Sequence, residues 1–309
     1  MIQSLSREEP SLIIENTEQW QQTSKSNNTI NGYYRKGTDK SNRIHLLHGN
    51  GFSAMTLAAM TSQLPTKSNI WLTDIPGHGL STQPTKAMPN WNQLADTIAD
   101  AIYKQANVEK DGPLIGVGHS MGAILTLLSA VKHPDLFSEI ILLDPVLFKS
   151  EMIIVQHLMK ITGTWRKRSM VKSVSNRTFE WENIEAMKHN IASKPFYKSW
   201  HPQVISDYCH SGSSVSSEGT VRLSCSPQWE ASIFGSCPTK LWHAIKKINI
   251  PVNMLVAKNT YFFIPSAVKR AAKINKHIRW QEFGERHCFP MEQPIETAEI
   301  LTKIIAKNN

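Results

Sequence analysis

Five residues constrain this chain more than any other feature: Gly118-His119-Ser120-Met121-Gly122, set between a short apolar run at 114–117 and a long apolar stretch at 121–131. The run reads as a buried strand. Ile124, Leu125, Leu127, Leu128 and Val131 make the stretch apolar nearly all round, as a helix beside central strands must be, and His133-Pro134 stops it. A G-x-S-x-G sequence between strand and helix pushes the serine out on a tight turn with strained backbone angles, and side chains two positions either way would collide with neighbouring segments. Composition alone would produce such a pattern in about one chain in ten of this length, so the strand before it and the helix after it carry the weight. The competing reading of Ser120 is an ordinary helix N-cap.

Elsewhere short apolar runs alternate with helical patterns, which predicts an α/β fold: a mostly parallel central sheet with helices on both faces. Strands are predicted at 30–35, 43–48, 70–74, 114–118, 139–143, 252–257 and 278–283. Trp91, Leu94, Ala95, Ile98 and Ile102 recur at three- and four-residue steps and predict an amphipathic helix. The rhythm breaks between Phe148 and Lys247, where helical pieces at 152–161 and 183–192 are followed by a Ser-rich run at 211–226 that suits a loop or hairpin. The expected organisation is a core in two parts, residues 1–147 and 248–309, with a mainly helical cap inserted at 148–247.

With 309 residues the chain can bury a large core without staples. Its four cysteines, Cys209, Cys225, Cys237 and Cys288, match neither a zinc set nor a disulfide framework and read as reduced thiols. The segment from Met1 to Trp20 mixes Arg7, Glu8, Glu9, Glu15 and Glu18 with short apolar runs, unlike a signal peptide. No segment has the apolar length of about 20 residues that a membrane-spanning helix requires. The expectation is a soluble, cytoplasmic protein without stable membrane insertion. A net charge of +9 raises nucleic acid, anionic lipid or an acidic carrier as partners. No nucleic-acid signature accompanies the basic residues, so a solvated basic surface is the preferred reading and no nucleic-acid partner is expected.

Two more segments bear on chemistry. His48-Gly49-Asn50-Gly51-Phe52 follows a strand, where a tight turn can hold a backbone N–H over the serine, so the Asn50 and Met121 amides are candidate oxyanion donors. Asp74-Ile75-Pro76-Gly77-His78-Gly79-Leu80-Ser81 also follows a strand. With H-G-x and D-x-P-G-H-G-x-S preceding G-H-S-M-G in this order, the chain resembles the α/β-hydrolase family through nearly its whole core. The resemblance implies a cofactor-free serine hydrolase with Ser120 as nucleophile, and turn-shaping roles for Asp74 and His78. Metal binding by His48 and His78 has no support from other ligands at metal spacing. It also implies a late histidine: Gly284 to Pro294 resembles the family's G-x-x-H followed by P-x-x-x-P, which assigns His287 as general base.

The acid departs from the common pattern. Most of the family carries an aspartate just after the strand predicted at 252–257, and Lys258 to Phe263 has no carboxylate. A minority takes the acid from the end of the preceding strand, where Asp144 stands before Pro145. Asp144 is therefore the candidate acid, against the alternative that it only caps that turn. Glu285, two positions from His287, is poorly placed to reach its Nδ1. The implied reaction is acyl transfer from a small-molecule ester to water. The fold also hosts C–C hydrolases, haloperoxidases and acyltransferases, and ligand-binding relatives that have lost catalysis remain a second class. In the cap, Ile153, Ile154, Leu158, Met159 and Ile161 with Lys160, Arg166, Lys167, Arg168 and Lys172 would suit an anionic amphiphile, against ordinary packing with a solvated rim. Oligomeric state is not encoded in any motif.

Overall fold

The computed structural model describes residues 17–24, 28–84 and 88–308. The expectation about a signal peptide concerns a segment that lies mostly outside these residues. In chain order the strands are β1 (Glu18–Thr23), β2 (Thr29–Arg35), β3 (Arg43–Leu47), β4 (Asn69–Thr73), β5 (Leu114–His119) and β6 (Phe137–Leu143). Three short strands follow, β7 (Glu180–Trp181), β8 (Ser213–Val215) and β9 (Val221–Leu223), and the chain closes with β10 (Val252–Val256) and β11 (Ile278–Glu282). The main sheet runs β1-β2-β4-β3-β5-β6-β10-β11. β2 is antiparallel to both β1 and β4, and every other neighbouring pair is parallel.

β3, β4 and β5 are buried at every residue, as parallel strands covered on both faces are. Alternation along the strands divides the core. Ile140, Leu142, Met254 and Val256 join one cluster with the helices Trp91–Gln105, Met121–Lys132 and Leu241–Lys247, whereas Ile141, Leu143 and Leu255 face Met55, Met60 and Leu301 on the other side. β1 was not predicted. Its sequence Glu-Gln-Trp-Gln-Gln-Thr buries only Trp20, so it has no apolar run, and it forms by backbone pairing at the sheet edge.

Between β6 and β10 lie the helices Ser150–Ile161, Ser169–Ser175, Ile184–Ser193, Pro202–Ser211 and Pro227–Phe234, with a small antiparallel sheet ordered β7-β9-β8. The Ser-rich run makes the β8–β9 hairpin, whose turn places Gly219 at φ +85°. The last helix before β10, Leu241–Lys247, packs with Met121–Lys132 against the sheet, so the core layer resumes before residue 247. Among the described residues no helix is long and apolar enough to cross a membrane.

Register sets up the site. Leu47 pairs with Gly118, His119 with Leu143, and Leu143 with Leu255, which brings the carboxyl ends of β3, β5, β6 and β10 level. Side chains from four separate segments can then meet just beyond one edge of the parallel sheet, where open α/β sheets present their sites.

Candidate active site

Ser120 sits at φ 56°, ψ −114° on the turn between β5 and the helix Met121–Lys132, and its N–H donates to the Leu143 carbonyl at 2.9 Å. The flanking glycines make this turn possible. A Cβ on Gly118 would lie 2.5 Å from the Gly122 carbonyl, and one on Gly122 would lie 2.3 Å from that of His48. Both contacts are with backbone, which cannot step aside.

Asp144 follows β6 at φ 42°, with its carboxylate buried. Oδ1 accepts the Ala257 N–H at 2.9 Å. Oδ2 accepts the Thr260 hydroxyl and, at 2.6 Å, the Nδ1–H of His287. The opposite ring nitrogen, Nε2, lies 2.9 Å from Ser120 Oγ and accepts its proton. These partners assign the imidazole tautomer. Three donors around one buried carboxylate offset much of its desolvation cost, and they tie β6, the loop after β10 and the His287 loop to one point.

Sequence reasoning passed over two of the groups that hold this arrangement. His119, read only as the variable residue of the elbow, donates from Nε2 to the His287 carbonyl at 2.9 Å and so anchors the loop that carries the histidine. Burial, aided by the nearby His287, pushes its pKa down to about 3, so it stays neutral while doing so. Thr260 lies in the loop notable for lacking a carboxylate. The signal available was its hydroxyl: an acid arriving from β6 needs a donor where the loop after β10 passes. Glu285 accepts from the Asn259 side chain instead of approaching His287 Nδ1.

The loop after β3 is held by three buried polar side chains. His48 Nδ1 donates to the Gly49 carbonyl at 2.7 Å while Nε2 accepts the Ile75 N–H at 3.0 Å. His78 Nε2 accepts the Gly51 N–H at 3.0 Å, and Asp74 accepts from Ala54 N–H at 2.7 Å and Leu80 N–H at 3.0 Å. Burial lowers both histidine pKa values, His78 to about 4. Asp74 and His78 thus fix turns, as the resemblance implied. The loop they fix brings Asn50 to the wall of the cavity that holds Ser120, where Met121 also lies. Met121 opens its helix, so its N–H has no acceptor within that helix.

The cavity encloses about 680 Å³, within the range of small-molecule sites. Apolar walls come from Phe52, Trp91, Phe148, Met152, Ile233 and Phe263, and the charged side chains are Arg168, Arg177, Lys194 and Glu230. Arg177 bonds Glu230 Oε2 at 2.8 Å and Tyr197 Oη at 3.1 Å. Of the cap residues weighed as a site for an anionic amphiphile against ordinary packing, only Arg168 lines the cavity. Met152 and Gln156, one turn apart on Ser150–Ile161, face the cavity, which turns Ile154, Leu158 and Ile161 outward to solvent. Of the five basic residues, Arg168 lines the cavity, and Lys160, Arg166, Lys167 and Lys172 are exposed outside it. All four cysteines are free, and among the described residues no three His, Cys, Asp or Glu side chains cluster as metal ligands.

A mostly parallel eight-stranded sheet with a serine elbow after β5 and a histidine after its last strand defines an α/β-hydrolase. The sequence profile of the serine aminopeptidase S33 family (Hydrolase_4) matches residues 38–273, and the chain belongs to that family. Among curated relatives, it is similar to the pimeloyl-[acyl-carrier protein] methyl ester esterase of Chromobacterium violaceum, 33% identical over 92 residues, 30% of this chain and 32% of that protein. It is also similar to the (E)-2-((N-methylformamido)methylene)succinate hydrolase of Acinetobacter baylyi, 31% identical over 121 residues, 39% of this chain and 43% of the relative. These matches thus span less than half the length of either relative. In structure the chain resembles E-2-(acetamidomethylene)succinate hydrolase, with a TM-score of 0.74 at 20% identity over 94% of this chain and 99% of the other. An esterase of Mycobacterium tuberculosis gives 0.71 at 17% identity over 94% and 91%. At such identities the likeness is one of fold. The protein belongs to the α/β-hydrolase family.

Proposed function

We propose that this hydrolase cleaves carboxylic esters through an acyl-enzyme on Ser120, with His287 as general base and Asp144 as the acid that orients it. The observation that carries the reading is the continuous relay from Asp144 Oδ2 to His287 Nδ1 at 2.6 Å and from His287 Nε2 to Ser120 Oγ at 2.9 Å. His287 takes the serine proton as Oγ attacks the ester carbonyl, and the Asn50 and Met121 amides receive the developing oxyanion. The imidazolium then protonates the leaving alcohol. Water repeats the sequence on the acyl-enzyme and releases the acid. The apolar walls, with Arg168, Arg177 and Lys194 against Glu230 alone, support an ester that joins an apolar chain to an anionic group. The cytoplasm is the proposed compartment, where four free cysteines stay reduced.

The test is covalent labelling. A fluorophosphonate probe should modify the purified protein at Ser120, short p-nitrophenyl esters should compete with it, and EDTA should leave turnover unchanged. A labelled peptide lacking Ser120, or turnover lost to chelation and restored by a divalent ion, would contradict the reading. Thr260→Val removes one donor to the Asp144 carboxylate while leaving those from Ala257 and His287. Since a hydrogen bond to a charged group contributes about 1.5–3 kcal/mol, kcat should fall roughly 10- to 150-fold with KM little changed. A kcat within twofold of the parent would show that the hydroxyl has no part in holding the acid.

A further inference from the structure

The helix Ser150–Ile161 carries apolar residues on the side away from the cavity. Ile154, Leu158 and Ile161, spaced one turn apart, are 61%, 57% and 72% exposed, and Val155 beside them is 53% exposed. That is the reverse of an ordinary surface helix, whose outer side is polar. The charge around the stripe is equally uneven. After Glu151 in the first turn of the helix, the sequence as far as Phe179 contains Lys160, Arg166, Lys167, Arg168, Lys172 and Arg177 and no further aspartate or glutamate, although the whole chain has 34 basic and 25 acidic residues. Lys160, Arg166, Lys167 and Lys172 are exposed. The same stretch supplies Met152, Gln156, Arg168 and Val174 to the cavity that contains Ser120.

We infer that this outer face of Ser150–Ile161, with its basic flank, docks the protein peripherally on an anionic lipid surface. An apolar stripe enters the boundary between headgroups and acyl chains, and basic residues beside it gain from the negative surface potential. The pairing of the two decides the occupant. An acidic protein would satisfy the cations but would leave a stripe of isoleucines and leucine uncovered, whereas a second copy of this chain would bring the same basic residues together. Docked in this way, the molecule carries the segment that lines its cavity on the side nearest the lipid.

The experiment is co-sedimentation of the purified full chain with phosphatidylglycerol vesicles and with phosphatidylcholine vesicles, alongside the oligomeric state in solution. None of the varied residues lines the cavity with Ser120, and binding is read independently of turnover, so failure of the esterase reading would leave the result intact. The parent should bind the anionic vesicles at least tenfold better than the neutral ones and lose that preference in high salt. Leu158→Ser combined with Ile161→Ser should reduce binding more than tenfold while hydrolysis of a soluble ester is kept. Lys160→Glu and Lys167→Glu should each reduce it by about fivefold or more, the equivalent of about 1 kcal/mol per basic residue near the surface. No binding to phosphatidylglycerol, equal binding to both lipids, or a dimer that Leu158→Ser and Ile161→Ser dissolve would overturn the proposal. So would retention of a soluble acidic polypeptide by the parent without any binding to vesicles.

Discussion

Replacing Ser120 by alanine is expected to lower kcat by about 10⁶-fold and replacing Asp144 by asparagine by about 10⁴-fold, both with little change in KM. Ser120→Ala removes the hydroxyl proposed to attack and leaves the turn as strained as before. Asp144→Asn acts through His287. An asparagine that keeps its carbonyl toward Ala257 N–H presents an amide N–H to Nδ1, so the ring must hold its proton on Nε2, where it cannot accept from Ser120 Oγ. The fold should survive, because asparagine tolerates the left-handed conformation that Asp144 occupies at φ 42°. If Asp144 only shaped the turn before Pro145, asparagine would make similar local bonds and kcat would stay within a few-fold. Near-parent turnover in a folded Asp144→Asn enzyme would therefore remove Asp144 from the relay. A second-site test follows from the loop after β10. The Thr260 hydroxyl reaches Asp144 Oδ2, whereas the Asn259 side chain points to Glu285. Thr260→Asp should partly restore an Asp144→Asn enzyme and Asn259→Asp should not. In the parent, Thr260→Asp would crowd two carboxylates and raise the pKa of one, lowering activity.

The elbow and the order of the motifs were legible because each depends on local sequence. Gly118 and Gly122 are required by contacts within a few residues or with the adjacent β3 turn, and the apolar runs of β3 to β6 identify strands buried on both faces. Asp144 could be nominated, by its place at the end of β6, but not distinguished from a turn-forming aspartate. The separation of 143 positions between it and His287 closes only through the register of β5, β6 and β10. His119 was missed for a related reason: its partner is a backbone carbonyl, and a carbonyl leaves no mark in the sequence. β1 escaped because strand pairing at an edge needs backbone groups more than apolar side chains. In the cap, helical periodicity located Ser150–Ile161 correctly but could not say which side faced inward. Its apolar residues were weighed as an amphiphile site against ordinary packing, and tertiary packing placed Met152 and Gln156 toward the cavity.

Acid should unfold this protein sooner than its net charge suggests, because four histidines are buried in the neutral form. Burial lowers the pKa of His45 to about 3, of His78 to about 4 and of His119 to about 3, and holds His48 well below its ordinary value. Each ring titrates near 6.5 once the chain is unfolded. As pH falls below that value the unfolded state takes up protons that the folded state refuses, so stability is complete above about 6.5 and is lost downward toward the folded pKa values. Each histidine contributes up to about 1.4 kcal/mol per pH unit in that window. Asp74, raised by burial to about 7, and Glu230, also raised by burial, run in the opposite sense, because their folded forms bind protons first. The four histidines outnumber these two carboxyls, so the unfolding free energy should fall as pH drops below about 6.5. Urea titrations at pH 7.5, 6.5, 5.5 and 4.5 would measure the slope directly. His45 is the residue to vary, since its Nε2 meets only the Thr73 hydroxyl at 2.8 Å and it touches no group of the Ser120 relay. His45→Gln keeps a donor for that hydroxyl and cannot titrate, so the slope below pH 6.5 should fall by about 1.4 kcal/mol per unit. An unfolding free energy that stays level from pH 7 to pH 5 in the parent would show that these rings take up protons without loss of the native packing.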